Sequence, residues 1–494
     1  MDGWINDLSD DAMSLLRGLL APSLTAPWGD WSGFWRQQFL RDRFLVAYAI
    51  PMSLVLLMFR RVDLKRAIVV TGMIFIAYVF GAIYAAMWLA TCSFYYWLGE
   101  RYAATVERGG ATERWAAVAC ATIIVVWYVS GFVLGRATGS RALNAWIFEQ
   151  GPWLLPLGVR GYSVEPHWNY FGDPPSMLRA AFRDLHLCGT AYLTVRLLHY
   201  FVDIRRGAIA RADRSLLNFL SYTCYAPNFM QGPIERYQRF QAEIETSHER
   251  RTIANLPPAL WRFGLGLGQG LAAFLYFEPL LRDVYGLDHR GPGTMRFYDE
   301  PAAMSSAALY FGAFVQIYTL YLYFAGYSNI SAGMARMLGY RQIENFAMPW
   351  FAESLRDFWR RWHISLSSLL RDYLYIPLGG NRRHVLLNMC VTFALCGIWH
   401  APLPHLLAWG ALMGAMVWVN HVWHEWTKRT TADRNSGPHA RIYRAWRRIP
   451  LAPRLFNWLL TQHAFVFSLL IFFGGFDGLR VAAELLRRAA SAFW

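Results

Sequence analysis

Charge is what this sequence has least of: Asp, Glu, Lys and Arg together make up 16% of its 494 residues. A soluble protein usually carries about 25% of such residues. Five stretches contain none of them, at residues 67–99, 115–135, 301–335, 384–424 and 455–476. A helix needs about 20 apolar residues to cross the hydrocarbon core of a bilayer, so the longest stretches have room for two crossings, or for one crossing and a re-entrant piece. The composition therefore excludes a soluble globular protein and predicts an integral membrane protein.

Apolar residues, by contrast, make up 55% of the chain and aromatic residues 17%, and the mean hydropathy is +0.20. In lipid every backbone N–H and C=O must be satisfied internally, which leaves helices or a closed barrel. The apolar stretches are continuous rather than alternating, which favours helices. We therefore predict an all-α, polytopic integral membrane protein with about ten to twelve membrane-embedded helices. Four shorter runs contribute to that number, at residues 44–59, 185–202, 215–234 and 257–277.

Several signatures of other protein classes are missing. The sequence has no P-loop, dinucleotide-binding fingerprint, nucleophile elbow or His-Glu-x-x-His motif. Its six cysteines include no Cys-x-x-Cys pair, and we interpret them as small buried apolar residues. His421, His424 and Glu425 have a spacing that suits a metal, but no further ligand is evident. We expect no metal and no bound cofactor.

The positions of the acidic and basic residues along the chain indicate its topology. Residues 1–43 begin with acidic residues and lack the basic start of a secretory signal, and their helical apolar spacing predicts an amphipathic, interfacial segment. The net charge is +15, and the densest basic cluster lies at residues 428–454. Because Lys and Arg accumulate in loops that stay in the cytoplasm, we interpret this cluster as a cytoplasmic loop. The expected partner is the lipid bilayer and no nucleic acid.

These features divide the chain into five regions. Residues 1–43 are predicted to lie at the interface, and residues 44–180 to form peripheral transmembrane helices. Residues 181–427 are predicted to form the core. Residues 428–454 form the basic cytoplasmic loop, and residues 455–494 are predicted to form a C-terminal transmembrane helix with an amphipathic tail. No separate soluble domain is predicted.

The segment 353–380 combines an apolar and a basic stripe. Its apolar residues follow a period of 3.6, as in a helix, at Leu355, Phe358, Trp362, Leu366, Leu369 and Tyr373. Its polar residues recur at spacings of three and four, at Arg356, Arg360, His363, Ser367 and Arg371. One interpretation is an interfacial helix whose arginines meet lipid phosphates. The other is the polar lining of a site for an anionic or polar ligand, since Arg offers paired donors to phosphates and carboxylates.

A single histidine, His400, lies inside the longest uncharged run, residues 384–424. Arg383 precedes this run and Lys428 follows it, which predicts a helical hairpin with His400 near its far end. His400 lies 17 residues after Arg383, or about 25 Å along a helix. An ionisable side chain at such a depth is a candidate for function. The alternative is a neutral histidine satisfied by one hydrogen bond.

Longer motifs resemble a known family. They are Phe324-Ala-Gly-Tyr-Ser-Asn329, Gly333-Met-Ala-Arg-Met-Leu-Gly339, Glu344-Asn-Phe346, Phe358-Trp-Arg-Arg-Trp-His-Ile-Ser-Leu366, Arg371-Asp-Tyr-Leu-Tyr-Ile-Pro-Leu-Gly-Gly-Asn-Arg382 and Gly397-Ile-Trp-His400. Together they resemble the membrane-bound O-acyltransferase family, in the bacterial branch that includes alginate O-acetylation proteins and D-alanyl transferases of teichoic acids. The resemblance covers about residues 185–425.

The resemblance implies a ring of membrane helices around a core tunnel, with residues 181–427 as the catalytic core. It implies His400 as the catalytic residue and His363 as a second active-site residue. From the motifs we also expect a set of residues to bind the substrate or the donor, namely Arg356, Arg360, Ser367, Arg371, Asn381, Arg382 and Trp399. The chain departs from the family pattern after His400: the family usually has glycine there and few prolines, whereas this chain has Ala401, Pro402 and Pro404.

The function implied is transfer of an acyl group, most simply acetyl, from a cytoplasmic thioester across the bacterial inner membrane to a hydroxyl. The donor would be acetyl-CoA or an acyl-carrier thioester. Exopolysaccharide O-acetylation is the first choice, and a teichoic-acid-like polymer or a secreted metabolite is an alternative acceptor. Expected partners are an extracytoplasmic acyltransferase, polysaccharide machinery or an acyl-carrier protein. A polytopic transporter or flippase is the rival from another class, since it also uses intramembrane Arg and His.

Overall fold

The computed structural model describes residues 52, 63–80, 82–109, 190–229, 232–283, 296–400, 404–432, 449 and 451–491. Every regular element within these ranges is helical, which confirms the all-α prediction for this part of the chain. The predicted interfacial segment 1–43, most of the region 44–180 and the middle of the basic loop lie outside the described residues.

Thirteen described helices carry the labels used below. They are α1 (Leu64–Phe80), α2 (Ala82–Glu107), α3 (Thr190–Arg205), α4 (Leu216–Thr223), α5 (Tyr237–Glu245), α6 (Leu256–Ala272), α7 (Ser306–Met337), α8 (Leu355–Arg361), α9 (Ile364–Leu370), α10 (Val385–His400), α11 (Pro404–Ala432), α12 (Ala452–Gly474) and α13 (Gly478–Ser491). Short helices occupy Ser247–Arg250, Glu278–Asp283 and Arg296–Asp299. Wide π-turns occupy Ala273–Phe277 and Arg371–Tyr375. Tight 3₁₀ turns occupy Arg211–Asp213, Ala226–Asn228, Ile253–Asn255, Pro301–Ala303, Pro349–Phe351 and Gly475–Asp477.

Three of the described helical stretches are long and apolar enough to cross a membrane. They are Ser306–Met337, Pro404–Arg429 and Ala452–Ser491, while Val385–His400 is apolar but shorter. The predicted membrane character is therefore confirmed for the described ranges. The predicted total of ten to twelve helices and the tunnel stay predictions.

The helices α6 and α7 pack with their backbones in close contact. A Cβ atom added at Gly266 would lie 2.4 Å from the carbonyl oxygen of Gly326, so only glycine allows this approach. Helices in lipid have little hydrophobic driving force to associate. Interfaces of small residues such as glycine are stabilised instead by the van der Waals contacts that close packing allows. The result is a closely packed helix pair that holds α7 in the centre of the described fold.

The predicted hairpin around His400 is confirmed. The helix α10 ends at His400, and α11 begins at Pro404 and returns along it. A Cβ at Gly397 would lie 2.0 Å from the carbonyl oxygen of Leu406, and a Cβ at Gly410 would lie 2.1 Å from that of Phe393. The glycine of the Gly-Ile-Trp-His motif is therefore the residue that lets the two helices meet next to the histidine.

The prediction of one continuous helix through residues 353–373 is wrong. The helix α8 ends at Arg361, and His363 adopts a left-handed conformation with φ 43° before α9 begins at Ile364. The N–H of Ile364 donates to the carbonyl of Asn345 at 2.9 Å instead of to the preceding turn. A hydrogen bond from a distant segment thus replaces a helical one and ends the helix.

The run 215–234 is also not a single helix, contrary to the prediction. The helix α4 ends at Thr223, and a tight turn with Pro227 follows. The guanidinium of Arg196, which is 2% exposed, donates to the carbonyls of Tyr222 at 3.2 Å and Asn228 at 2.5 Å. This buried cation satisfies backbone acceptors that a helix would otherwise satisfy.

Two large apolar clusters share the helix α7. Its C-terminal part, including Ile330 and Met334, belongs to the cluster formed with α1 to α5. Its N-terminal part, including Leu309 and Ile317, belongs to the cluster formed with α8, α12 and α13. A third, small cluster joins α3, α9 and α10 through Val195, Ile234, Leu366, Leu369 and Cys396. Two of the motifs that carry the family resemblance meet at this third cluster, because Leu366 belongs to it and Trp399 packs against it.

Candidate active site

Two histidines contact the same indole ring. The ring centroid of Trp399 lies 4.7 Å from that of His400 and 6.1 Å from that of His363. The indole itself is fixed from α3, because its N–H donates to the carbonyl of Ala191 at 3.0 Å and its ring packs edge-on against Tyr192 at 5.6 Å. The structure therefore brings together three residues that the sequence predicted from two separate motifs.

His400 is surrounded by aromatic rings on the hairpin and on α12. Its ring lies 5.0 Å from Phe472 and 6.4 Å from Trp409, in addition to Trp399. The residue is nevertheless exposed at the end of α10. An imidazole bordered by apolar rings and still accessible can be reached by a small reactant.

His363 is held more deeply, with 3% of its surface exposed. Its ring meets Phe324 of α7 edge-on at 4.8 Å. Within the described part of the chain, its Nδ1 has no hydrogen-bond partner. A buried polar nitrogen without a hydrogen-bond partner destabilises the folded protein unless a ligand or a water molecule bonds to it. One nitrogen of His363 therefore has a hydrogen-bonding capacity that the described part of the protein does not use.

The other predicted binding residues do not join this group. Arg356, Arg360, Arg371, Asn381 and Arg382 are exposed, and none of them hydrogen bonds to either histidine within the described ranges. Their role in binding the donor therefore stays a prediction.

Several of these side chains have partners of their own. The Nε of Arg371 donates to Asp372 at 2.7 Å, and Tyr375 donates to the side-chain oxygen of Asn381 at 2.6 Å. Ser367 is half-buried and donates to the carbonyl of Trp362 at 3.2 Å. In the described part of the chain, no three His, Cys, Asp or Glu side chains converge to hold a metal ion.

A second polar group lies at the C-terminal end of α3, outside the candidate spans. The carboxylate of Asp203 accepts hydrogen bonds from Tyr373 at 2.6 Å and from Gln238 at 2.7 Å, and it lies 3.6 Å from His199. Burial raises the pKa of Asp203, but the nearby imidazole of His199 and the hydrogen bonds from Tyr373 and Gln238 lower it below its ordinary value. Arg206 and Arg236 lie over the ring of Tyr373, each 4.9 Å from its centroid. This network ties α3 to the segment that follows α9.

A sequence model of the membrane-bound O-acyltransferase family matches residues 176–462, more than half of the chain. The chain belongs to this family. The match includes α3 to α11 and the first half of α12, and therefore both histidines and Trp399.

Members of the family that are similar to this chain act on different polymers, according to their names. A probable alginate O-acetylase, AlgI, from Azotobacter vinelandii is 28% identical over 341 residues, which cover 67% of this chain and 58% of that protein. A teichoic acid D-alanyltransferase from Streptococcus thermophilus is 25% identical over 321 residues, covering 63% of this chain and 72% of that protein. A peptidoglycan O-acetyltransferase from Helicobacter pylori is 28% identical over 222 residues, covering 44% and 40%. The chain spans about half the length of the alginate relatives.

The site contains several residues that the sequence did not predict. Tyr192, Phe324 and Phe472 form its aromatic wall, and Asn345 bonds the backbone next to His363. Asn345 and Phe324 stood inside motifs that carried the family resemblance, which is the one signal that pointed to them. Tyr192 and Phe472 lay in ordinary apolar runs and gave none.

Proposed function

We propose that this protein is a membrane-bound acyltransferase that moves an acyl group, most simply acetyl, from a thioester to a hydroxyl. The observation that carries the proposal is that two histidines, His400 and His363, both contact the indole ring of Trp399. Membership of a family of O-acyltransferases supports it, as do relatives named for O-acetylation and D-alanylation. A transporter has less support, because the family is named for group transfer.

His400 is proposed as the general base. A hydroxyl is a poor nucleophile at neutral pH, and a positioned base contributes about 10²–10⁴-fold. The imidazole of His400 takes the proton as the hydroxyl oxygen bonds to the carbonyl carbon of the thioester. The carbon–sulfur bond then breaks, the new ester forms, and the imidazolium returns its proton to the leaving thiolate. Overall, one thioester and one alcohol give one ester and one thiol.

His363 is proposed to assist at the carbonyl oxygen. Charge develops on this oxygen when the tetrahedral intermediate forms, and a donor already in place stabilises it. The unpartnered Nδ1 of His363 supports this role, since a neutral imidazole with the proton on that nitrogen can donate to an oxygen. The aromatic rings of Trp399 and Phe324 exclude water from one side of the ring.

The donor is proposed to be acetyl-CoA or an acyl-carrier thioester, arriving from the cytoplasm through a tunnel between the helices. The exposed guanidiniums of Arg356, Arg360 and Arg382 suit the phosphates of such a donor, because Arg binds phosphate oxygens in pairs. The proposed location is the bacterial cytoplasmic membrane, with about ten to twelve membrane-embedded helices in all.

The acceptor is proposed to be an exopolysaccharide hydroxyl. Five relatives named as probable alginate O-acetylases support this choice. A teichoic-acid-like polymer, peptidoglycan or a small secreted metabolite would use the same chemistry. Polysaccharide machinery, and an extracytoplasmic acyltransferase that completes the transfer, are proposed partners.

The test uses a strain from which the gene has been deleted. The strain is complemented with the wild type, with His400→Ala or with His424→Ala, a matched change of an exposed histidine on α11. Ester-bound acetate is released from the extracellular polysaccharide by mild alkali and measured. Acetate is expected to return with the wild type and with His424→Ala and to stay absent with His400→Ala at equal membrane expression. Full acetylation by the His400 variant would remove that residue from the mechanism.

A further inference from the structure

The backbone of His363 is in a conformation that its side chain disfavours. Its φ is 43° and its ψ is 51°, which is the left-handed region that non-glycine residues seldom occupy. Such a conformation persists only where the surroundings hold it, and it often accompanies a functional site. The residues that hold this turn are therefore part of what places the imidazole.

Asn345 bonds to both residues that follow His363. Its backbone carbonyl accepts the N–H of Ile364 at 2.9 Å, and its side-chain Oδ1 accepts the hydroxyl of Ser365 at 2.6 Å. One residue thus fixes the chain direction immediately after the left-handed position. Because Asn345 and Ser365 lie 20 positions apart, this contact exists only in the folded protein.

The Asn345–Ser365 pair is itself anchored on two sides. The Nδ2 of Asn345 donates to the hydroxyl of Ser328 on α7 at 3.2 Å, and the Ser365 hydroxyl accepts the N–H of Ile234 at 2.9 Å. Asn345 is 1% exposed and Ser365 is fully buried. Each hydroxyl and amide therefore has its partners, which makes the turn rigid rather than adaptable.

We propose that Asn345 and Ser365 are positioning residues that hold the His363 imidazole at the reacting centre. The inference rests on the proposed role of His363 in acyl transfer. Neither residue needs to touch a reactant, because both act through the turn at His363. A purely structural role would instead make them two buried polar residues whose loss weakens the fold in general.

The first arm of the test is kinetic and uses the full-length protein with acetyl-CoA and chemically deacetylated surface polysaccharide. Ser365→Ala is compared with Ser365→Thr, which keeps the hydroxyl, and with Ser331→Ala. Ser331 is 1% exposed and donates to Gln342 at 2.9 Å, so it is a matched buried serine away from the turn. Since a misplacement of about 1 Å can cost about 10²-fold, kcat should fall about 10–100-fold in Ser365→Ala with little change in KM. It should recover in the Thr variant and stay near normal in Ser331→Ala.

The same changes in a His363→Ala background separate positioning from general weakening. If Ser365 acts only through His363, Ser365→Ala has almost no further effect once the imidazole is gone. An equal loss of kcat in both backgrounds, or an equal loss in Ser331→Ala, would overturn the proposal.

The second arm does not depend on activity. A cryo-EM structure of Ser365→Ala should show the His363 ring displaced from its edge-on contact with Phe324, whereas Ser331→Ala should leave that contact in place. If the ring stays in place in Ser365→Ala, the inference is wrong whatever the protein catalyses. If the wild type transfers no acyl group, the proposed function fails, and the structural arm still decides the inference.

Discussion

Replacing Gly397 by alanine is expected to open the hairpin beside His400. The new Cβ would lie 2.0 Å from the carbonyl oxygen of Leu406 and 2.8 Å from its carbon, whereas real Cβ atoms almost never approach within 3.0 Å. The obstacle is backbone, so α10 and α11 must separate by about 1 Å at this level. Overpacking of this kind costs about 1–3 kcal/mol. A shift of that size at His400, three residues further on, should lower kcat about 10²-fold.

The assay measures kcat for acyl transfer and the apparent unfolding temperature in detergent. Gly268→Ala is the matched control, because a Cβ there meets nothing within 4 Å. Since glycine inside a helix is about 0.5–1 kcal/mol less favourable than alanine, the control should be neutral or slightly more stable, with normal kcat. If Gly397→Ala keeps both the wild-type rate and the wild-type unfolding temperature, the account of the hairpin is refuted.

Three further changes test parts of the fold around the site. Arg196→Met removes two hydrogen bonds from a guanidinium to backbone carbonyls. The change should destabilise the fold by about 3 kcal/mol and lower the apparent unfolding temperature. An unchanged unfolding temperature would contradict this. Tyr310→Phe removes the 2.5 Å hydrogen bond to Nε2 of His463 between α7 and α12; thermal unfolding should show a loss of only about 0.6 kcal/mol. Because the folded-state pKa of Asp203 is lowered, its carboxylate stabilises the fold above about pH 4, and this contribution is lost as the pH falls further. Tyr373→Phe, which removes one of its hydrogen bonds, should therefore lower the unfolding temperature more at pH 7 than at pH 3, and an equal loss at both would contradict the assignment.

The hairpin that carries His400 could be predicted because its signal is local. A run without charge between Arg383 and Glu425 has the length of two helices, and a histidine near its middle falls at the turn. Composition and continuity of the apolar runs were likewise enough to predict helices in place of strands. These properties are set by the solvent, since lipid constrains every residue of a crossing segment in the same way.

The turn at His363 could not be predicted because its cause is distant in the chain. Trp362 and Leu366 continue the apolar period across the break, and both are buried as that period requires. What ends the helix is the bond from Ile364 to Asn345, a partner in another segment. A repeating pattern indicates which side chains share a face, but not which backbone group a remote residue will bind.

The same reason explains why the sequence could not predict what the arginines of α8 bind. Spacing predicted that Arg356 and Arg360 share one face of a helix, and they do lie on the exposed side of α8. Spacing says nothing about what that face meets, whether lipid phosphate or donor. The distinction depends on the neighbouring helices and therefore on tertiary structure.

The central claim is that His400 takes the proton of the acceptor hydroxyl. The most direct measurement is single-turnover transfer of a radiolabelled acetyl group from acetyl-CoA to deacetylated surface polysaccharide, by purified protein in liposomes. The account predicts a loss of at least about 10²-fold for His400→Ala, with normal transfer by His424→Ala and an intact fold in both. Transfer by His400→Ala at the wild-type rate would contradict the account.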